Sequence, residues 1–289
     1  MEQLLQFIVT GLATGTMYAL VGLGIALVFQ VTGVINFAQG HFVMLGALIF
    51  AVLSESGVAP VPAAAVALAA TTTVGFGVER LVIAPARVNQ LDRLIILTIG
   101  AAIVIEGATL VAFGTQPRVA EPFTAGVLRF GGVNLERQYL WVAATAAVAV
   151  LAVWFFLTRT TLGKAMRGVA MDREAARLMG ISPRRMSLLV FTLAAALGAV
   201  GGIALAPIQH PDPGIGIALG LKGFTAAVIG GLDWPAGAVA GGLLLGVAEA
   251  IAAGYLPSGY KDAVAYGALV LLLVARPTGL LRAVRAVRV

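Results

Sequence analysis

QLLQFIVTGLATGTMYALVGLGIALVFQVTGVINFAQGHFVMLGALIFAVLS, residues 3–54, contains no Asp, Glu, Lys or Arg. A helix that crosses the hydrocarbon of a bilayer needs about 20 apolar residues, so this stretch holds two membrane segments. It lacks the alternation of a membrane-barrel strand, and a segment in lipid must satisfy its own backbone polar groups. The segments are therefore read as helices. The same character runs through the whole chain. Of 289 residues, 60% are hydrophobic and 11% charged, against about 25% charged in a soluble domain. So few charges could not cover a soluble globule of this size, which excludes the ordinary soluble enzyme.

The sequence thus predicts an all-α fold, a polytopic transmembrane helical bundle forming a single domain over 1–289. Apolar runs place segments at 4–30, 37–54, 59–83, 94–114, 139–158, 187–208, 222–232, 236–254 and 262–276. The run 222–232 is too short to cross at 1.5 Å per residue and reads as a half-helix or re-entrant segment. The 36 glycines, dispersed within the runs, suit closely packed and broken helices.

The net charge of +6 sits at segment ends. It is read as orientation by the positive-inside rule rather than as nucleic-acid binding. Loop 159–185 carries Arg159, Lys164, Arg167, Arg173, Arg177, Arg184 and Arg185 against Asp172 and Glu174. It is placed in the cytoplasm, together with the tail (Arg276, Arg282, Arg285, Arg288) and loop 80–93. Loop 115–138 falls outside, as does the N-terminus if all three early segments cross. Met1-Glu2-Gln3 lacks the basic start of a cleaved leader, so the first run is expected to stay as a span.

Enzyme signatures fail. Gly163-Lys164 is followed by Ala165, so no phosphate-binding P-loop is present. The five serines lie at segment ends or in loops, and only His41 and His210 could partner one. There is no cysteine, and no metal-ligand cluster is expected.

Loop 159–185 has a second property. Met171, Ala175, Leu178 and Met179 fall on one helical face, with Asp172, Arg173 and Arg177 opposite. Gly180 is placed to end that helix, and Ser182-Pro183 to begin the next. Such a helix either lies on the membrane surface or docks in a protein groove.

Two polar interruptions stand out. Asn36-Phe37-Ala38-Gln39-Gly40-His41 breaks the opening run, and Asp233-Trp234-Pro235-Ala236-Gly237 breaks a run in the second half. Corresponding breaks in two halves point to an inverted repeat around a central site. Parity nevertheless places Asp233 near the cytoplasmic side, where an ordinary interfacial turn is the better reading. Asn36 can both donate and accept, and Phe37 and Phe42 offer apolar surface. Glu106 and Glu249 lie inside apolar runs, where a carboxylate must pair or face the bundle interior. Glu106 could attract an ammonium group or bind a neighbouring helix; Glu249 is expected to pair with Lys261 or snorkel. Tyr18 is read as a pore aromatic or a core residue.

Glu174-Ala175-Ala176, three residues and then Gly180 resemble the EAA loop by which ABC-importer permeases dock on their ATPase. Val34-Ile-Asn36-Phe-Ala-Gln-Gly40-His41-Phe, Leu97-Thr-Ile-Gly100, Phe113-Gly114-x-x-Pro117-Arg118, Gly230-Gly231 and Arg276-Pro277-Thr-Gly279-Leu280 follow the same order as in one permease family. Together they resemble the permease subunits of high-affinity branched-chain amino acid importers, over nearly the whole chain, with Gln39 as one departure. The resemblance implies a transport subunit without chemistry of its own, in the bacterial inner membrane with a cytoplasmic C-terminus. It implies a homologous second permease, two cytoplasmic ATPases that bind ATP and Mg, and an extracytoplasmic binding protein. ATPase coupling would then fall to Met171, Arg173, Glu174, Ala175, Ala176, Arg177, Leu178, Met179 and Gly180. The substrate path would include Tyr18, Asn36, Phe37, Gln39, Gly40, His41, Phe42 and Glu106. Rival readings are import of urea, short amides or another small solute, and a stand-alone ion-coupled transporter working through Glu106.

Overall fold

The computed structural model describes residues 2–86, 91–130, 133–255, 261–275 and 279. The basic tail, Arg87, most of the motif at 276–280 and the side chain of Lys261 lie outside them. Eleven helices are described: α1 (Glu2–Thr32), α2 (Gln39–Glu55), α3 (Pro60–Gly77), α4 (Leu91–Phe113), α5 (Arg137–Arg159), α6 (Thr161–Met171), α7 (Arg173–Leu178), α8 (Pro183–Gln209), α9 (Ile215–Gly230), α10 (Pro235–Tyr255) and α11 (Lys261–Ala275). A π-helical turn, Val78–Ile83, and a 3-10 turn, Ala84–Ala86, prolong α3. Among the described residues, six helices are long and apolar enough to cross a membrane; α2, α9 and Ala265–Ala275 are shorter. The chain is a polytopic helical membrane bundle, and its segments follow those read from the apolar runs, α9 excepted. One departure from an all-helical chain is the antiparallel hairpin of β1 (Val127–Phe130) and β2 (Val133–Glu136) in the loop after α4.

The half-helix is longer than the apolar run suggested. α9 begins at Ile215, not near 222, because Lys222 lies inside the helix and is buried. At 1.5 Å per residue its 16 residues span about 24 Å, and the 17 of α2 about 26 Å. Both short helices open on the same turn. Asn36 Oδ1 accepts from the Ala38 N–H (3.1 Å) and its carbonyl from the Gln39 N–H (3.2 Å). Asp212 Oδ1 accepts from the Gly214 N–H (2.7 Å) and its carbonyl from the Ile215 N–H (3.3 Å). In each case a carboxamide or carboxylate folds over the chain two residues on and launches the helix three residues on.

The partner of the Asn36 break is therefore residues 210–214, entered through His210 at φ +46°. Asp233-Trp234-Pro235, which resembled that break by pattern but was read on parity as an interfacial turn, is such a turn. It joins α9 and α10, with the Trp234 N–H donating to the Gly231 carbonyl (2.9 Å).

Helix packing obeys the same exchange. α10 packs on α1 (Gly242 at Ala19, Gly246 at Gly15) as α3 packs on α8 (Gly75 at Ala195). α2 runs beside α8 (Phe42 at Gly198, Val43 at Gly202) as α9 runs beside α1 (Gly223 at Val21 and Gly22). α4 and α11 rest on α2 and α9. α1 and α8 themselves are antiparallel, with Leu20 against Gly201 and Gly24 approached by Gln39 from the level of Ala194. The inverted repeat thus relates α1–α4 to α8–α11, and α5–α7 join the halves.

The two ends of the bundle are distinct. Arg118 pairs with Glu55 (3.1 Å), and the Arg118 N–H donates to the Pro211 carbonyl (3.0 Å), so the ends of α2, α4 and α8 meet on the hairpin side. Thr32 and Val34 share a cleft with Arg173 and Arg177 at the other end. α1 therefore starts on the side opposite loop 159–185. α4 and α5 turn exposed apolar faces outward (Ile103, Val104 and Val111; Leu151, Trp154 and Phe155), as a lipid-facing or subunit-facing helix must.

Candidate functional site

The break before α2 lies inside the protein. Gln39 packs on Gly24 and donates from Nε2 to the Ala194 carbonyl (2.9 Å). Eight residues of α1 and eleven of α8 separate those contacts from the α7 end, which sets Gln39 well within the bundle. Thr98 of α4, fully buried, spans the break: its Oγ1 accepts from the Phe37 N–H (3.3 Å) and donates to the Ile35 carbonyl (3.3 Å) or the Ile95 carbonyl (2.8 Å). A Cβ at Gly40 would overlap the Gly216 carbonyl oxygen, and His41 lies against Gly216. The first turns of α2 and α9 therefore cross backbone to backbone.

His41 Nε2 is 3.1 Å from Glu106 Oε2. The imidazole is buried, whereas the carboxylate side chain is 33% exposed on the open face of α4. Asn36, Gln39 and His41 are buried. Asn36 Nδ2, Gln39 Oε1 and His41 Nδ1 have no hydrogen-bond partner among the described residues. Three buried polar atoms short of partners within one six-residue break are a concentration that stability alone would not favour. Phe37 is half-buried, its ring 5.8 Å from that of Phe224. Phe42, expected beside a cargo, is instead fully buried on Gly198.

Tyr18 and Glu249 belong together. Tyr18 Oη donates to Glu249 Oε2 (2.6 Å), and Lys222 Nζ is 2.9 Å from Glu249 Oε1. The expected partner of Glu249 was Lys261 or water at the membrane edge. The structure places it 1% exposed between α1, α9 and α10, because α9 starts early enough to bring Lys222 into the bundle. Lys222, Asp212, Thr98 and a holding role for Gln39 went unread. Lys222 sat at an assumed segment boundary, and Asp212 repeats Asn36 only once the turn is visible.

The coupling loop holds two helices where one was expected. Asp172 interrupts them: its Oδ1 accepts from the Glu174 and Ala175 N–H groups (both 2.9 Å) and caps α7. Gly180 has φ +80°. Its N–H donates to the Arg177 carbonyl and that of Ile181 to the Ala176 carbonyl (both 3.0 Å), the 5→2 and 6→1 bonds of a Schellman ending. Ala176 is buried, while Met171, Leu178 and Met179 are 88%, 89% and 81% exposed. Arg173, Glu174 and Arg177 lie on the other side of α7 and line the cleft toward the bundle. An apolar edge held out into solvent by two capped helices is the form of a docking surface.

The model of the branched-chain amino acid transport system permease component matches residues 7–274. The chain belongs to this family. It is 35% identical to the high-affinity branched-chain amino acid transport system permease protein BraD of Pseudomonas aeruginosa, over 96% of this chain and 95% of that one. It is 32% identical to LivH, a permease protein of the same description in Escherichia coli, over 97% of each. The ribose import permease protein RbsC of Escherichia coli is more distant, at 26% identity over 76% of this chain and 67% of that one. Among solved structures, PsaBC from Streptococcus pneumoniae in complex with Fab has a TM-score of 0.51 at 14% identity, covering 96% and 93% of the two chains. That likeness concerns the fold.

Proposed function

We propose that this permease is the membrane half-channel of an ATP-driven importer of branched-chain amino acids. It would work by alternating access in the bacterial inner membrane, multi-pass and with the C-terminus in the cytoplasm. A homologous second permease, two cytoplasmic ATPases carrying ATP and Mg, and an extracytoplasmic binding protein complete the assembly. The observation that carries the reading is near-full-length identity to two permeases named for that cargo. The exposed edge of Met171, Leu178 and Met179 supports ATPase docking.

The path runs at the crossing of α2 and α9. Helix N-termini carry partial positive charge, and two of them meet at Gly40 and Gly216. They suit the carboxylate of an amino acid, as broken helices do in other transporters. Glu106 faces its ammonium group, and the half-open ring of Phe37 its side chain. Asn36, Gln39 and His41 exchange partners as the halves rock.

Reconstitution with the ATPases and binding protein tests this. Asn36→Leu should assemble and keep basal ATP hydrolysis but lose leucine uptake, and a cysteine at position 36 should be protected during turnover. Normal uptake by Asn36→Leu, with that cysteine unreactive in every state, would move the path elsewhere.

A further inference from the structure

At the loop 159–185 end of the bundle lies a cleft of about 530 Å³ that the proposed substrate path leaves unused. Its wall on the coupling side is the polar edge of α7: Arg173, Glu174 and Arg177. Its bundle wall is Glu79 on the π-helical turn, with Arg184 and Ser187 at the start of α8. Glu79 is 2% exposed and shares this wall with Arg184 and Ser187. Val34, Ile83 and Leu94 add an apolar side.

The lining selects its occupant. A simple anion would meet the guanidinium groups but be repelled by Glu79 and by Glu174, which pairs with Arg177 at 3.5 Å. An apolar molecule would cap the buried Glu79 carboxylate without offering it a donor, which is costly, and would make no use of the exposed guanidinium groups of Arg173, Arg177 and Arg184. A species with an ammonium group, a carboxylate and an aliphatic chain satisfies all three sets: Glu79 for the ammonium, the arginines for the carboxylate, and the Val34 side for the chain. The volume suffices for such a molecule with accompanying water.

The cleft is also placed to act. Its two walls are the helix proposed to receive the ATPase and the bundle that must move with it, and the exposed apolar edge of α7 points away from the cleft. A ligand bridging the walls fixes α7 against α3 and α8. We infer that this cleft is an inhibitory site for an aliphatic α-amino acid, bound from the cytoplasmic face so that accumulated product slows its own import. This rests on the proposed importer function.

The test uses the complete transporter in liposomes with ATP inside and the binding protein outside. Uptake of labelled leucine into leucine-free vesicles tests the transport reading alone. If that uptake is present, luminal L-leucine should lower the initial rate and the matching ATPase rate. Glu79→Gln and Arg184→Gln should each raise the half-inhibiting luminal concentration about tenfold or more, the scale of one lost charge-assisted hydrogen bond. Uptake into leucine-free vesicles should stay within about twofold of wild type, since neither residue is assigned to the path. Arg184 is exposed, so its variant folds even if the buried Glu79 position does not tolerate change. Luminal deaminated leucine, which keeps the carboxylate and chain, should not inhibit. The inference is overturned if wild type shows uptake without luminal inhibition, or if both variants are inhibited like wild type. It is equally overturned if their uptake into leucine-free vesicles falls in parallel, or if the deaminated acid inhibits as strongly as leucine.

Discussion

Replacing Lys222 by Met would leave the Glu249 carboxylate 1% exposed with the Tyr18 hydroxyl as its close partner among the described residues. The present geometry compensates that burial from two directions, with the ammonium at 2.9 Å and the phenol at 2.6 Å. Removing one member of a buried ion pair costs about 3–5 kcal/mol, because the surviving charge is stranded. Replacing both members by apolar groups of similar size is often nearly neutral. Lys222→Met should therefore lower the midpoint of thermal unfolding in detergent by on the order of 10 °C. Lys222→Met combined with Glu249→Met should recover most of that loss, and Tyr18→Phe should cost about 1.5–3 kcal/mol, as for a hydrogen bond to a charged group. The double-mutant cycle then yields a coupling of about 2–4 kcal/mol. If the double variant unfolds as early as Lys222→Met, or Lys222→Met lies within about 1 kcal/mol of wild type, the triad does not hold α1, α9 and α10 together and the reasoning fails.

Three further outcomes are expected. Gly40→Ala should cost about 1–3 kcal/mol through overpacking against Gly216, whereas Gly100→Ala, where an added Cβ meets nothing within 4 Å, should melt no lower than wild type. Ala175→Asp should leave the bundle folded but abolish ATPase co-purification and ATP-driven uptake; retained association would make the apolar edge a membrane-surface feature. Gly180→Val forces a β-branched residue to φ +80° at about 1–2 kcal/mol and should reduce uptake more than it lowers the melting midpoint, as measured on the same preparation.

Hydrophobic runs were enough to place every span but α9, because in lipid length and apolarity decide a helix almost alone. Capping was legible for the same local reason: Gly180, just past the last apolar position Met179, occupies the left-handed position that ends the helix. The loop helix was misread because Asp172, taken as one polar face, spends its carboxylate on the next two N–H groups and splits the helix. The site was partly visible. His41 and Glu106 meet, and the Asp233 break, read on parity as an interfacial turn, is a turn; the pattern that set it beside Asn36 did not find the matching break. That break, at Asp212, shares with Asn36 only a turn geometry, which leaves a one-residue trace in sequence. Lys222 and Glu249 lie 27 positions apart, and no local rule pairs them. Only the long-range packing of α9 on α1 and α10 does so.

The connector α5–α7 has no mate under the exchange that relates α1–α4 to α8–α11. A body made of two equivalent, oppositely oriented halves has no intrinsic preference for facing one way: swapping the conformations of the halves turns one orientation into the other at equal energy. Directionality must then come from whatever breaks the equivalence. In this protein the equivalence is broken by the lone connector, whose α7 lies at one end of the bundle, and by an Asn36 turn in one half where the other has an Asp212 turn. A pull on the connector acts on a nearly balanced seesaw. On the proposed coupling, a six-residue helix directs a bundle many times its mass.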